Sequence, residues 1–244
     1  KTGLKTPLVT CITDISMHPE WTAPQTDIYL APTQEIKRHL MKEGTRAEDI
    51  LVTGIPVRQQ FLDADCRQKR ERNRTRRVLI MGGGLGLMPD LKELLEKLHS
   101  MQGVESVVIT GKNHKMYEEW VNRYEDVEVL GYTENISRYM RGADLVITKA
   151  GGITLFEILH SQVPLFVIHP FLEQEMNNAR YAAEKGFAKV IWGRREDYIP
   201  ELEKLLSDEK MMEEMTGNVR RACKEMIEVS LDEAVGIMEE RMTA

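Results

Sequence analysis

From residue 77 onward, short apolar runs and helix-patterned segments alternate with little interruption. The runs are Arg77–Met81, Glu105–Thr110, Val127–Leu130, Asp144–Thr148, Pro164–His169 and Ala188–Trp192. Between them, residues 89–100, 113–124, 134–141, 152–161 and 174–185 are amphipathic. Strands that alternate with helices in this way build a parallel sheet covered by helices on both faces. The expected class is therefore α/β, Rossmann-like. The tail, 196–243, carries Leu202, Leu205 and Leu206, then Met211, Met212 and Met215, on charged helical sequence. It reads as terminal helices whose methionines fill core.

The first 62 residues differ. Leu8–Thr13 and Asp27–Ala31 are strand-like, 33–43 helical, and Ile50–Val52 a further short strand. These do not make a complete small domain and are expected to be the closing part of a second Rossmann-like one. Residues 63–76 form a polar, basic linker, with arginines and a lysine clustered from Arg67 to Arg77. That segment is either a solvated connection or an electrostatic contact with anionic lipid headgroups. The expected division is thus 1–62, the linker 63–76, a ligand-binding domain 77–228 and a terminal helix 229–244.

Net charge is −6 and the pI about 5.7, and no aromatics interleave with the basic run, so nucleic acid is not an expected partner. Cys11, Cys66 and Cys223 are scattered and odd in number, which suits a reducing cytoplasm better than a disulfide framework. The longest apolar runs, such as Val163–Ile168, are far short of a membrane span. Membrane contact is expected to be peripheral.

Two turns invite a ligand. The run ending at Met81 is followed by Gly82-Gly83-Gly84-Leu85-Gly86, where bare backbone N–H groups can approach phosphate oxygens. The dinucleotide fingerprint fails here, because Leu87 stands where its third glycine belongs. A Walker A loop fails as well, since Gly111-Lys112-Asn113 lacks the preceding glycine spacing. The second turn is Thr148-Lys149-Ala150-Gly151-Gly152-Ile153-Thr154-Leu155-Phe156-Glu157. On the helix that begins there, Thr154, Glu157 and Ser161 share a stripe beside the apolar one formed by Leu155, Ile158 and Leu159. Glu157 is then either a solvated acid after a tight turn or the acceptor for a vicinal diol such as a ribose. A carboxylate repels phosphate, so a diphosphate belongs nearer the glycines. Past the next strand, Glu173, Gln174, Glu175, Asn177 and Asn178 offer donors and acceptors that suit the hydroxyls of a sugar.

Together "GGGLG" (82–86), "GYTENI" (131–136), "KAGGITLFE" (149–157) and "QEMNNA" (174–179), with "TDISMHPEW" (13–21) and "GIPV" (54–57) upstream, resemble the GT-B glycosyltransferases. The nearest branch holds the processive diacylglycerol glucosyltransferases and the monogalactosyldiacylglycerol synthases, and the peptidoglycan N-acetylglucosaminyltransferase is a cousin. The resemblance implies an inverting, metal-independent transfer of hexose from UDP-glucose or UDP-galactose to a lipid acceptor, on the inner face of the membrane. It implies that Gly83, Gly84 and Gly86 lie under the diphosphate and that Tyr132 and Thr133 face the uracil. Gly151, Gly152, Ile153 and Thr154 would cradle the nucleotide, and Glu157 would take the ribose. Gln174, Glu175 and Asn178 would contact the sugar. His18 is a candidate base, with Asp14 acting or orienting it.

Glu173 stands where relatives often have glycine, which leaves the choice of sugar open. No cofactor is implied. Asp63-Ala64-Asp65 offers a D-x-D, but it abuts the linker instead of ending a core strand. The resemblance also implies that the chain begins near the end of the acceptor-side domain, so that it binds UDP but transfers little sugar. A UDP-sugar epimerase or hydrolase on the same fold, and a non-catalytic nucleotide-sugar-binding regulator, are the alternatives.

Overall fold

The computed structural model describes residues 7–17, 21–23, 25–62, 75–82, 91–193 and 197–243. They form two parallel sheets. The smaller has the order β1 (Val9–Cys11), β2 (Ile28–Ala31), β3 (Ile50–Val52). Helix α1 (Gln34–Lys42) links β2 to β3. The Thr33 hydroxyl caps it by accepting the Ile36 N–H at 3.2 Å, and Ile36 and Leu40 form its buried face.

The larger sheet holds β4 (Arg76–Met81), β5 (Val104–Ile109), β6 (Val127–Leu130), β7 (Leu145–Thr148), β8 (Leu165–Ile168) and β9 (Ala188–Ile191). Their order is β6-β5-β4-β7-β8-β9, and every pair is parallel. Each strand falls on one of the six apolar runs. Helix α2 (Gln59–Leu62) precedes this sheet in the chain. The later helices are α3 (Leu91–Ser100), α4 (His114–Trp120), α5 (Ile136–Gly142), α6 (Gly152–Ser161), α7 (Glu173–Glu184), α8 (Ile199–Ser207), α9 (Glu209–Met226) and α10 (Leu231–Thr243).

The period of two along a strand feeds both faces. Val78 and Ile80 pack with Leu94 and Leu98 of α3 and Leu202 of α8. Leu79 and Met81 pack on the opposite face, with Leu155 and Ile158 of α6 and Val219 of α9. Met212 and Met215 are buried and Met211 is half-buried against the same cluster, in keeping with their reading as core residues, and Met226 is buried as well. Helix α4 stops at Trp120, four residues short of its expected end. Asn122 takes φ +59°, a left-handed conformation that a right-handed helix cannot continue.

Two segments cross between the sheets. Residues 54–62 leave the smaller sheet and place Ile55 and Phe61 in the larger core, with α2 at their end. Helix α10, which follows the larger domain in the chain, returns to bury Ala234 against Ile28, Leu30 and Leu51 of the smaller sheet. The N–H groups of Glu228 and Val229 both reach the Val52 carbonyl, at 2.9 and 3.1 Å. Among the described residues no helix is long and apolar enough to cross a membrane.

Candidate active site

In the larger sheet the chain departs from β4 toward β5 on one side and from β7 toward β8 on the other. These two strands are neighbours, with Met81 opposite Thr148. Connections that diverge from adjacent parallel strands leave a crevice at their carboxyl ends, where open α/β sheets bind ligands. Both glycine-bearing turns found in the sequence begin there. Gly83, Gly84 and Gly86 lie outside the described residues, as do His18 and residues 63–74 with their Asp63-Ala64-Asp65 motif.

The β7–α6 turn is described in full. Gly151 is the N-cap of α6 and, like any glycine, offers no side chain to cap the helix. The first N–H groups of a helix have no partner within it, and the helix dipole makes that end partly positive. Lys149 adds a cation at the same turn, its Nζ 5.7 Å from the centre of the Phe171 ring. Ile153 is exposed. Bare donors and a nearby ammonium make this corner suitable for a phosphate.

The two glycines have different reasons to be there. A Cβ at Gly152 would stand 2.7 Å from the Thr13 carbonyl oxygen and 3.2 Å from Ile55 Cδ1, so the smaller unit seats directly on this residue. At Gly151 the nearest atom would be Thr154 Oγ1, at 3.8 Å. Gly152 is therefore bare to admit neighbouring backbone, and Gly151 leaves room for a ligand.

Glu157 is not a solvated acid. Its residue exposure is 6%, and the Arg58 guanidinium bonds its Oε1 through Nε at 3.2 Å and Nη2 at 2.9 Å. Burial pushes this carboxyl up, and the bonds and charge of Arg58 pull it partway back. On the Thr154–Glu157–Ser161 stripe, Glu157 and Ser161 are covered and Thr154 is half-buried. Ser161 is buried against Met140 of α5, and α2 packs on α6. Sequence reasoning missed Arg58, which stands 99 positions from its partner. The signal available was its place directly after "GIPV".

Asn178 departs from its expected place as well. It is wholly buried, and its Nδ2 donates to the Ala150 carbonyl at 2.8 Å. That bond braces the β7–α6 turn from behind. Its Oδ1 is buried without a hydrogen-bond partner. Gln174 is exposed and Glu175 half-buried, both in the first turn of α7 at the carboxyl end of β8. His169 turns the chain out of β8 with φ +48°, a conformation uncommon for a residue with a side chain.

Tyr132, 67% exposed, and Thr133 follow the edge strand β6, so they lie along the same rim but two strands from the crevice. The Thr133 hydroxyl accepts the Asn135 N–H at 3.2 Å. In the smaller unit, Asp14 is buried, and its Oδ1 accepts both the N–H and the hydroxyl of Ser16 at 3.3 Å. It shapes the turn beside Gly152. At the linker's end, Arg76 binds the Leu206 carbonyl and Glu209, and Arg77 pairs with Glu105, so two of the basic side chains are engaged within the fold. Among the described residues no cluster of His, Cys, Asp and Glu could hold a metal.

This fold defines a doubly wound α/β domain set against a smaller α/β unit. Residues 77–230 match the glycosyltransferase family 28 C-terminal domain, and the chain belongs to that family. Residues 1–57 match monogalactosyldiacylglycerol (MGDG) synthase. The processive diacylglycerol beta-glucosyltransferase of Bacillus licheniformis is 34% identical over 231 residues, covering 89% of this chain and 59% of that protein. The chain thus spans about three-fifths of the length of the curated relatives it matches. MurG of Acinetobacter baumannii shares the fold at 15% identity, with a TM-score of 0.66 over 98% of this chain and 68% of that one. A UDP-N-acetylglucosamine 2-epimerase does so at 18% identity, with a TM-score of 0.55 over 81% and 54%.

Proposed function

We propose that the chain is the donor-binding portion of an inverting glycosyltransferase that moves a hexose from a UDP-sugar to a lipid acceptor. The observation that carries this reading is the α6 start: an uncapped helix end at the crevice, with a buried carboxylate one turn along. The diphosphate lies at Gly151 and the N–H groups of Gly152 to Thr154, together with the glycines after β4. Glu157 accepts from the ribose hydroxyls, and Tyr132 and Thr133 line the uracil. Gln174 and Glu175 hold the sugar, and Asn178 keeps the turn rigid behind them. The relatives' name favours glucose and a diacylglycerol or glycosyl-diacylglycerol acceptor.

In the reaction an acceptor hydroxyl attacks the anomeric carbon as the bond to UDP breaks on the opposite face. The hydroxyl proton passes to a base, for which His18 is the candidate. The negative charge that develops on the departing diphosphate is taken up by helix N–H groups and dipole, donors already in place before the bond breaks. This accounts for transfer without a metal ion. A lipid acceptor implies work at the cytoplasmic membrane face, with the remaining basic side chains of 67–77 facing anionic headgroups.

The test has two parts. Calorimetric titration with UDP should show binding, weakened about 1–3 kcal/mol by Glu157→Ala through loss of charge-assisted bonds. Equal affinity in the variant refutes the site. UDP-glucose and UDP-galactose are then supplied with and without diacylglycerol. Sugar on lipid supports transfer, whereas a sugar product formed without lipid refutes it in favour of an epimerase or hydrolase.

A further inference from the structure

Glu157 meets a problem that its proposed role makes acute. A ribose diol needs an ionised carboxylate with lone pairs free and a fixed direction, yet this side chain is 7% exposed. Burial alone favours the protonated form, which could accept fewer bonds. The group that opposes burial comes from outside the larger sheet. Arg58 lies on the segment crossing from the smaller unit, and that segment is firmly anchored. Ile55 and Phe61 sit in the larger core, and the Arg58 guanidinium lies 5.3 Å over the Phe61 ring. Gln60 Nε2 donates to the Glu134 carbonyl at 2.8 Å, and its Oε1 accepts the Ser137 hydroxyl at 2.8 Å. Gly54, at φ +75°, brings the chain so near Phe156 of α6 that a Cβ would stand 2.7 Å from its ring.

Both Arg58 bonds end on the same oxygen, Oε1. A carboxylate has about four lone-pair sites, so Arg58 leaves those of Oε2 to another donor. We propose that Arg58 is a positioning residue of the donor site, holding Glu157 by Oε1 so that Oε2 is presented to the ribose and 2′-hydroxyl nucleotides are selected. The inference rests on the reading of Glu157 as the ribose acid. It adds that selection for ribose is set by the segment joining the two sheets, not by the larger domain alone. Burial pushes the Glu157 carboxyl up while Arg58 draws it down, which agrees with this role. A lysine could supply the charge but not the two-pronged grip.

The experiment compares UDP with 2′-deoxyuridine 5′-diphosphate by calorimetry, on wild type, Glu157→Gln, Arg58→Ala and Arg58→Lys, each checked by thermal melting. Wild type should prefer UDP by roughly tenfold, the worth of one hydrogen bond to a charged group. Glu157→Gln should abolish the preference, Arg58→Ala should reduce it to about threefold or less, and Arg58→Lys should fall between wild type and Arg58→Ala. An Arg58→Ala protein that binds both nucleotides more weakly with the wild-type ratio has lost only structure, and overturns the inference. If Arg58→Ala does not melt cooperatively, a wild-type ratio in Arg58→Lys overturns it instead. Should Glu157→Gln keep the wild-type ratio, the ribose reading itself fails, a result distinct from failure of the arginine alone.

Discussion

Replacing Gly152 by alanine isolates the contact between the smaller unit and α6. The added carbon would lie 2.7 Å from the Thr13 carbonyl oxygen. Ordinary carbon–oxygen approaches are about 3.3–3.6 Å, so the overlap is about 0.6 Å or more. Thr13 is backbone and cannot rotate away, and Ile55 Cδ1 at 3.2 Å closes the other side. Overpacking of this kind costs about 1–3 kcal/mol. Alanine's better helix propensity returns up to about 1 kcal/mol, so the net loss should be about 1–2 kcal/mol. For a chain of this size that corresponds to a melting point about 2–8 °C lower.

Gly151→Ala is the control. Its φ of −71° and ψ of 146° suit any residue, and its Cβ would meet nothing closer than Thr154 Oγ1 at 3.8 Å. Its stability should change by less than about 1 kcal/mol, since alanine's poorer capping offsets the entropy it removes from the unfolded chain. Its UDP affinity should fall, because the methyl occupies the place assigned to the diphosphate. Differential scanning calorimetry and UDP titration read both effects. A Gly152→Ala protein as stable as wild type, or a Gly151→Ala protein with unchanged affinity, would refute the separate roles given to these glycines.

Other outcomes follow from single contacts. Asn178→Ala removes the bond to the Ala150 carbonyl and leaves that oxygen unpaired, so it should cost about 1–3 kcal/mol by denaturant unfolding. No loss would show that the turn needs no brace. Ala234→Leu enlarges a fully buried side chain between α10 and the smaller sheet and should cost about 1–3 kcal/mol, where an unchanged melting point would mean α10 does not pack there. Burial raises the Glu157 carboxyl, so from pH 4.5 upward the folded state retains a proton that the unfolded chain has released. Stability from this group is present below that pH and lost as pH rises through the raised value. The melting point of Glu157→Gln relative to wild type should therefore climb as pH rises above 4.5, and a flat difference would contradict the burial account.

Local chemistry determined much of this protein. Apolar runs at strand length and apolar stripes at helical spacing depend on neighbours a few residues away, and all six strands of the larger sheet and the start of α6 at Gly152 follow from them. The order of motifs was likewise enough to point to the family. Tertiary structure decided what no local pattern encodes. The strand order that sets the carboxyl ends of β4 and β7 side by side is a pairing of distant segments. Gly152 looked like half of a bare ligand corner until Thr13, 139 positions earlier, proved to lie against it. Glu157 read as an acid on an open stripe because Arg58 and the chain that covers it belong to another part of the sequence. Helix α10 gave no sign that it would close the smaller sheet. In each case the deciding term is a long-range contact, fixed by which surfaces the folded chain brings together rather than by the residues adjoining them.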